Sequence, residues 1–143
     1  AQTVAEAVPD RAEEAARLIR VALASDAVRR ARSAKRALRE VPFALPRAGN
    51  TLILEGYADL VIESEDGSIE IVDWKTDHVS EAAVEARARA YELQAGVYVL
   101  GLEAATRREV SRVTYLFVSP NIEREMPPVD QLRAVALARL EAL

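Results

Sequence analysis

Two aspartates on either side of a tight turn, Asp59 and Asp73, constrain this chain more than any other feature. The stretch Ile71-Val72-Asp73-Trp74-Lys75-Thr76-Asp77, within a strand read over Ser68–Lys75, begins apolar and ends in charge. In a strand, residues two apart face the same side, so Ile69, Ile71, Asp73 and Lys75 share one face and Val72 and Trp74 the other. Upstream, Thr51–Glu63 reads as a second strand, and Glu65-Asp66-Gly67 as a three-residue hairpin loop with glycine at its left-handed position. Closing the hairpin with Ser64 facing Ser68 sets Asp59 opposite Asp73. Directly opposed residues have Cβ atoms about 4.5–5.5 Å apart on one face. Two carboxylates so placed repel, and charge at the end of a buried strand is costly unless something uses it. A divalent cation between them, with Lys75 beside it, is the simplest reason for the arrangement.

A G-x-x-D strand (Gly56, Asp59), a turn, Asp73-Trp74-Lys75-Thr76, and then Tyr91-x-x-Gln94-x-x-x-Tyr98 resemble, in that order, the PD-(D/E)xK nuclease superfamily. Within it they look most like the RecB/AddA-type nuclease domain of helicase–nuclease chains, over roughly residues 40 to 118. The resemblance implies an α/β fold with a restriction-endonuclease-like mixed sheet: three antiparallel strands, a helix and a fourth strand, flanked by helices. It implies a Mg²⁺- or Mn²⁺-dependent exonuclease acting on single-stranded DNA delivered by an attached or partner helicase, as in DNA end processing for recombination and repair. Its site residues are Asp59, Asp73, Lys75 and Gln94, with the backbone carbonyl of Trp74 as a further metal ligand. Tyr57, Thr76 and Tyr91 are expected to line the site. RecB-type domains also carry a metal-binding histidine upstream of the first strand. The one histidine here, His78, follows the D-x-K motif instead. The chain opens on Ala1, as an excised piece of a longer protein would.

Composition sets limits. At 143 residues, half of them hydrophobic, the chain fits one domain with a real core. We expect N-terminal helices over residues 1–39, a catalytic core over 40–119, and a C-terminal strand and helix over 120–143. No apolar run approaches the roughly 20 residues of a membrane span, and Glu6, Asp10 and Arg11 interrupt the first apolar residues as they would not in a signal peptide. A cytoplasmic setting is the expectation. Without cysteine there is no disulfide and no iron–sulfur cluster, so the chain resembles the cluster-free branch of its superfamily. The net charge of −4 is unfavourable for binding DNA. Its distribution is better, with ten basic and six acidic side chains in residues 1–50 against nine and seventeen in residues 51–143. That division suits a phosphate-contacting half and a metal-holding half as well as it suits a solvated surface.

Along the chain, residues 10–24 read as a helix started by Pro9-Asp10, and Ser25-Asp26 as a second start. A helix over 27–38 would put Arg29, Arg32, Arg36 and Arg39 on one face, a stripe able to meet DNA phosphates or simply water. Glu40–Leu45 reads as an edge strand limited by Pro42, with Glu40 in a structural ion pair rather than on a metal. Residues 46–50 turn the chain. Gly56 marks a bulge or a close approach of another backbone, and Tyr57 shares the Asp59 face by parity. Thr76 is expected to cap the turn after Lys75, and Asp77 to be a solvated or capping group. Residues 80–104 read as the longest helix, with Tyr91, Gln94, Ala95 and Tyr98 on one face. Tyr98 is expected in the core, and Gln94 at the site, holding a water or a phosphate. Val110–Ser119 is a fourth strand, joining parallel to its neighbour through a crossover. Asn121–Met126 is a short fifth strand, and residues 129–143 a closing amphipathic helix.

Hard oxygen ligands suit Mg²⁺ or Mn²⁺, and Lys75 would orient the attacking water or neutralise developing charge. Nothing in the set reads a base, so sequence specificity is not expected. The rival reading is a nuclease fold without activity, used for DNA binding or subunit docking. Nucleotide hydrolysis is disfavoured because no phosphate-binding glycine loop is present.

Overall fold

A computed structural model describes residues 9–46 and 53–142. Of the turn expected over residues 46–50, Pro46 instead ends the first strand and residues 47–50 lie outside the described residues, as do Thr51 and Leu52 of the expected second strand, and Leu143. Helix α1 (Pro9–Ala24) leads into α2 (Asp26–Ser33). Ser25 caps α2, its Oγ accepting the Val28 N–H at 3.3 Å, so the second start signal stands.

The arginine-rich helix stops earlier than its spacing predicts. Ala34 is already extended, and residues 36–46 form strand β1 (Arg36–Pro46). Arg29 and Arg32 are therefore on α2, and Arg36 and Arg39 on a strand, so the four-arginine helical face does not exist. Local spacing gives way to pairing: β1 runs antiparallel to β2 (Ile53–Glu63) along its whole length, from Arg36↔Glu63 to Pro46↔Ile53. Tertiary context overrides a helical preference of this size.

The hairpin closes as its sequence predicts. Gly67 is left-handed at φ +87, Ser64 N–H donates to Ser68 O at 2.9 Å, and β3 (Ile69–Lys75) pairs with β2 in the register Glu63↔Ile69 to Leu60↔Val72. After β3 the expected long helix is broken. A 3₁₀ turn (Glu81–Ala83) precedes α3 (Val84–Ala90), and Tyr91, at φ −96 and ψ 0, separates α3 from α4 (Glu92–Thr106). The crossover then places β4 (Val110–Phe117) parallel to β3, and β5 (Ile122–Glu125) antiparallel to β4. Helix α5 (Val129–Glu141) closes the described chain. The five strands lie in sequence order, β1-β2-β3-β4-β5, in a mixed sheet flanked by helices. No helix among the described residues is long and apolar enough to cross a membrane.

Each sheet face has its own cluster. On the front, Ile69, Ile71, Val113, Tyr115 and Phe117 pack against Ala95, Tyr98, Val99 and Leu102 of α4 and Leu132 of α5. On the back, Ala27, Ala31 and Ala34 cover Leu60, Ile62, Val72 and Trp74. The back also holds an ion network that sequence reading missed. The buried Glu70 carboxylate takes Arg30 at 2.6 Å, Arg112 at 2.9 Å and the Thr114 hydroxyl at 3.2 Å, pinning α2 to the sheet.

Two close approaches explain two glycines. A Cβ at Gly56 would meet the Phe43 ring at 2.7 Å, and one at Gly101 would meet the same ring at 2.2 Å. Phe43 is wedged between β2 and α4. Gly56 therefore serves packing, with the β1–β2 register unbroken beside it.

Candidate active site

The site begins where the sheet forks. The β2–β3 ladder ends at Leu60↔Val72, one step short of Asp59 and Asp73. Instead of a further ladder bond, the Trp74 N–H donates to Asp59 Oδ2 at 2.8 Å. Inward–outward alternation slips at the same point. Val41, Phe43 and Ala58 join the front cluster, as does Val61, while Leu60 and Ile62 face the back. The β1–β2 pairing skips one position, between Arg39↔Leu60 and Val41↔Ala58, and there Glu40 takes φ +50. A left-handed residue in a strand is unusual for glutamate, and here it marks the slip.

That slip corrects the placement of Tyr57, which rested on unbroken parity. Tyr57 is 65% exposed and lines a separate hollow with Pro42, Gly56 and Ala105. Glu40 is exposed and makes no ion pair among the described residues, so its expected structural pairing is also corrected.

Asp73 and Lys75 sit at the end of β3, buried at 4% and 8% exposure. Parallel pairing with β4 sets Tyr115 beside Asp73. One face of α4 supplies Gln94 and Tyr98. These side chains close a ring of polar contacts. Lys75 Nζ lies 2.7 Å from Asp73 Oδ2 and donates to Gln94 Oε1 at 2.6 Å. Gln94 Nε2 donates to the Tyr98 hydroxyl at 3.3 Å, and that hydroxyl donates to Asp73 Oδ1 at 3.1 Å. The Tyr115 hydroxyl donates to Gln94 Oε1 at 3.3 Å. Both ends of the Gln94 amide are thus engaged by protein groups, with a second Nε2 N–H beyond its bond to Tyr98.

Aromatic faces complete the cage around the ammonium. Lys75 Nζ is 4.1 Å from the Tyr91 ring centroid and 4.6 Å from that of Tyr115, both within cation–π range. The break before α4 turns Tyr91 into this position, and Asp77 holds it there, accepting the Tyr91 hydroxyl at 2.6 Å and Arg87 Nε at 3.0 Å. The hydroxyl and then the guanidinium keep the Asp77 carboxyl below its ordinary range, and the Tyr91 hydroxyl is raised in return. Asp77 therefore supports the cage instead of capping a turn.

Burial pushes Asp59 above the ordinary carboxyl value. The Trp74 N–H and Lys75 oppose the rise, and the charges of Asp73 and Glu40 add to it. Burial also pushes the Tyr98 and Tyr115 hydroxyls up, followed by the charge of Asp73. Both remain donors at neutral pH.

Other expected residues stand apart. Thr76 is exposed, and its hydroxyl makes no hydrogen bond among the described residues. His78 lines a hollow with Val79, Ser80, Ala83, Ala86, Arg87 and Ala90 and takes no part in the site. Arg29 pairs with Asp26, while Arg32, Arg36 and Arg39 are exposed. Two site groups escaped sequence reading. Tyr98, placed only in the core, also presents its hydroxyl to Asp73, a role its position one turn after Gln94 could have suggested. Tyr115 is set by the parallel β3–β4 register, which no local signal fixes.

Whether the site fits a divalent ion can be tested on its donors. Asp73 Oδ2 is buried with no hydrogen-bond donor, its one charged neighbour being Lys75. Asp59 Oδ1 makes no hydrogen bond among the described residues. Asp59 with a free oxygen and Asp73 with an oxygen held only by the Lys75 ammonium, beside a strand-end backbone, are hard-oxygen donors of the kind that suit Mg²⁺ or Mn²⁺. Among the described residues no group of three or more His, Cys, Asp or Glu converges to hold a metal.

Comparison with known proteins agrees with this geometry. The chain is 34% identical to an ATP-dependent helicase/nuclease subunit of Alkaliphilus oremlandii over 101 residues, which is 62% of this chain and 8% of that protein. It is 37% identical to the corresponding protein of Anoxybacillus flavithermus over 93 residues, 62% of this chain and 8% of that protein. With the corresponding protein of Acetivibrio thermocellus it shares 39% identity over 70 residues, 48% of this chain and 6% of that protein. The chain thus spans less than a tenth of the length of these curated relatives. The family model described as the PD-(D/E)XK nuclease superfamily, whose members generally use divalent metals, matches residues 1–143. The chain belongs to the PD-(D/E)XK nuclease superfamily.

Proposed function

We propose that this chain is a Mg²⁺- or Mn²⁺-dependent deoxyribonuclease that hydrolyses phosphodiester bonds of single-stranded DNA as an exonuclease, and that it serves as the nuclease module of a helicase–nuclease in DNA end processing. One observation carries the reading: Asp73, Lys75 and Gln94 meet in a closed polar ring beside Asp59. The helicase–nuclease setting rests on the relatives named above.

Asp59 and Asp73 would hold the ion, with the Trp74 carbonyl as a further oxygen. When bound, such an ion supplies charge to the phosphate oxygens and a more acidic water. The remaining work falls to the chain. Lys75 offers an ammonium that cannot wander, fixed by a carboxylate, an amide oxygen and two aromatic faces. A charge so preorganised stabilises charge developing on the phosphate without reorganisation. Gln94 orients Lys75, Tyr98 orients Asp73, and Tyr115 orients Gln94.

A second reading is a nuclease fold that binds DNA without cutting it. It is favoured by the Lys75–Asp73 pair, in which the ammonium lies 2.7 Å from the carboxylate oxygen that an ion would take. Cleavage of labelled single-stranded DNA by the chain with Mg²⁺ or Mn²⁺, run beside Asp73→Ala, decides between them. Cutting lost in the variant supports the nuclease. Binding without cutting in both proteins supports the second reading.

A further inference from the structure

Behind the fork, on the far side of Asp59, lies a cleft of about 810 Å³ lined by Ala37, Leu38, Arg39, Glu40, Asp59 and Trp74. Its volume lies within the range of small-molecule sites, about 300–1,000 Å³. The polar ring around Lys75 does not use it. We propose that this cleft receives a nucleobase of the DNA strand, next to the phosphate engaged at Asp59 and Asp73; the inference rests on the nuclease reading.

The chemistry of the lining points to a base rather than a phosphate. Glu40 and Asp59 both line the cleft, close enough for the Glu40 charge to raise the Asp59 carboxyl, and two carboxylates repel a phosphate. A neutral flat ring meets no such repulsion, and its N–H donors can pair with carboxylate oxygens. Leu38, 37% exposed, and the partly exposed Trp74 supply the apolar surface, and every base has a π-face that can lie on an indole whatever its sequence. Arg39, exposed beside them, can meet the backbone phosphate of the same nucleotide.

The left-handed Glu40 stands on the wall of this cleft. Stacking of this kind tolerates any sequence, so it agrees with the lack of base-reading residues at the catalytic ring.

Trp74 is the one tryptophan of the chain, so no other indole contributes to the emission, and the abasic chain controls for effects of binding at the neighbouring site. The experiment titrates the 143-residue chain, with Ca²⁺ replacing Mg²⁺, with a labelled oligothymidylate and with an abasic oligodeoxyribose phosphate of equal length. Label anisotropy follows binding, and tryptophan emission follows base contact. The expected result is quenching by the oligothymidylate and none by the abasic chain, which binds about tenfold more weakly. Leu38→Ala should weaken binding of the oligothymidylate and leave the abasic chain unaffected, whereas Arg39→Ala should weaken both. Anisotropy that rises without a change in emission, or equal changes with both ligands, overturns the base cleft and leaves the nuclease reading standing. No anisotropy change with either ligand overturns both.

Discussion

Asp59 accepts the Trp74 N–H at 2.8 Å, one step beyond the last ladder pair joining their strands. A side-chain carboxylate thus stands where a strand carbonyl would, and the sheet opens there. Burial makes the charge on Asp59 unfavourable and raises its pKa. A carboxyl whose folded pKa exceeds its unfolded value favours the fold most while protonated. That advantage fades as pH rises from the ordinary carboxyl range through the raised value, and above it the ionised group is a net cost. Asp59→Asn keeps an acceptor for Trp74 and removes the charge. Without metal, its thermal midpoint should therefore exceed that of the wild type at pH 7, and the gap should close as pH falls below the ordinary carboxyl range. With Mg²⁺ at a hundredfold its dissociation constant the order should reverse, since the wild type alone gains about 2.7 kcal/mol from the ion. Midpoints that move in parallel in the two proteins would refute an ion at Asp59.

Lys75 is predicted to matter for stability as well as for cutting. It and Asp73 form a pair at 2.7 Å, both nearly fully buried. Removing one partner of a buried pair leaves an uncompensated charge and costs about 3–5 kcal/mol. Lys75→Ala should lower the urea midpoint accordingly and abolish cleavage. The double variant Lys75→Ala with Asp73→Ala should recover part of the stability and none of the activity. A double variant less stable than Lys75→Ala alone would mean that the pair does not govern the fold at this point.

The Tyr115 hydroxyl is predicted to act through Gln94. Tyr115→Phe keeps the ring near Lys75 and its edge contact with Tyr91, whose centroid lies 5.7 Å away. It removes only the hydrogen bond to Gln94 Oε1, a net loss of about 1 kcal/mol for a typical intramolecular bond. If that whole loss falls on the transition state, the turnover rate should fall about fivefold, with KM for DNA unchanged. Tyr98→Phe should cost more, because it removes the donor to a buried carboxylate oxygen. A rise in KM with unchanged turnover in either variant would assign these hydroxyls to substrate binding instead.

How much of this was legible beforehand follows the range of each interaction. The hairpin and its register as far as Leu60↔Val72 followed from Gly67 and strand alternation, both local signals, whereas Asp59 accepts from the Trp74 N–H where direct opposition to Asp73 was expected. Gln94 at Lys75 was legible because helical spacing and motif agree. Arg36 and Arg39 were misplaced because their helical spacing is real, while the pairing of β1 with β2 along its whole length outweighs it. The same strand hides the slip at Glu40, which parity reading of Tyr57 could not anticipate. Tyr115 depends on the parallel β3–β4 register, set by the crossover through α4 and by no residue nearby.

Phe43 links packing to the site, and its two glycines make that testable. Its ring lies 5.6 Å from that of Tyr98, edge to face, and the Tyr98 hydroxyl holds Asp73. Gly101→Ala would drive a methyl into the Phe43 ring, 2.2 Å from Cδ2. Overpacking of that kind costs about 1–3 kcal/mol, partly offset by the roughly 1 kcal/mol gained on replacing a helical glycine by alanine. Phe43→Leu in the same chain leaves room for the methyl, so the pair should be more stable than the sum of the single changes, with a coupling of about 0.5–3 kcal/mol by double-mutant cycle. Gly96→Ala provides the contrast. Its methyl would lie 2.2 Å from the Leu132 carbonyl oxygen, which is α5 backbone and cannot swing aside as a ring can. It should destabilise more than Gly101→Ala, and Phe43→Leu should not rescue it. Equal rescue of both variants would show that Phe43 is not the group confined by Gly101.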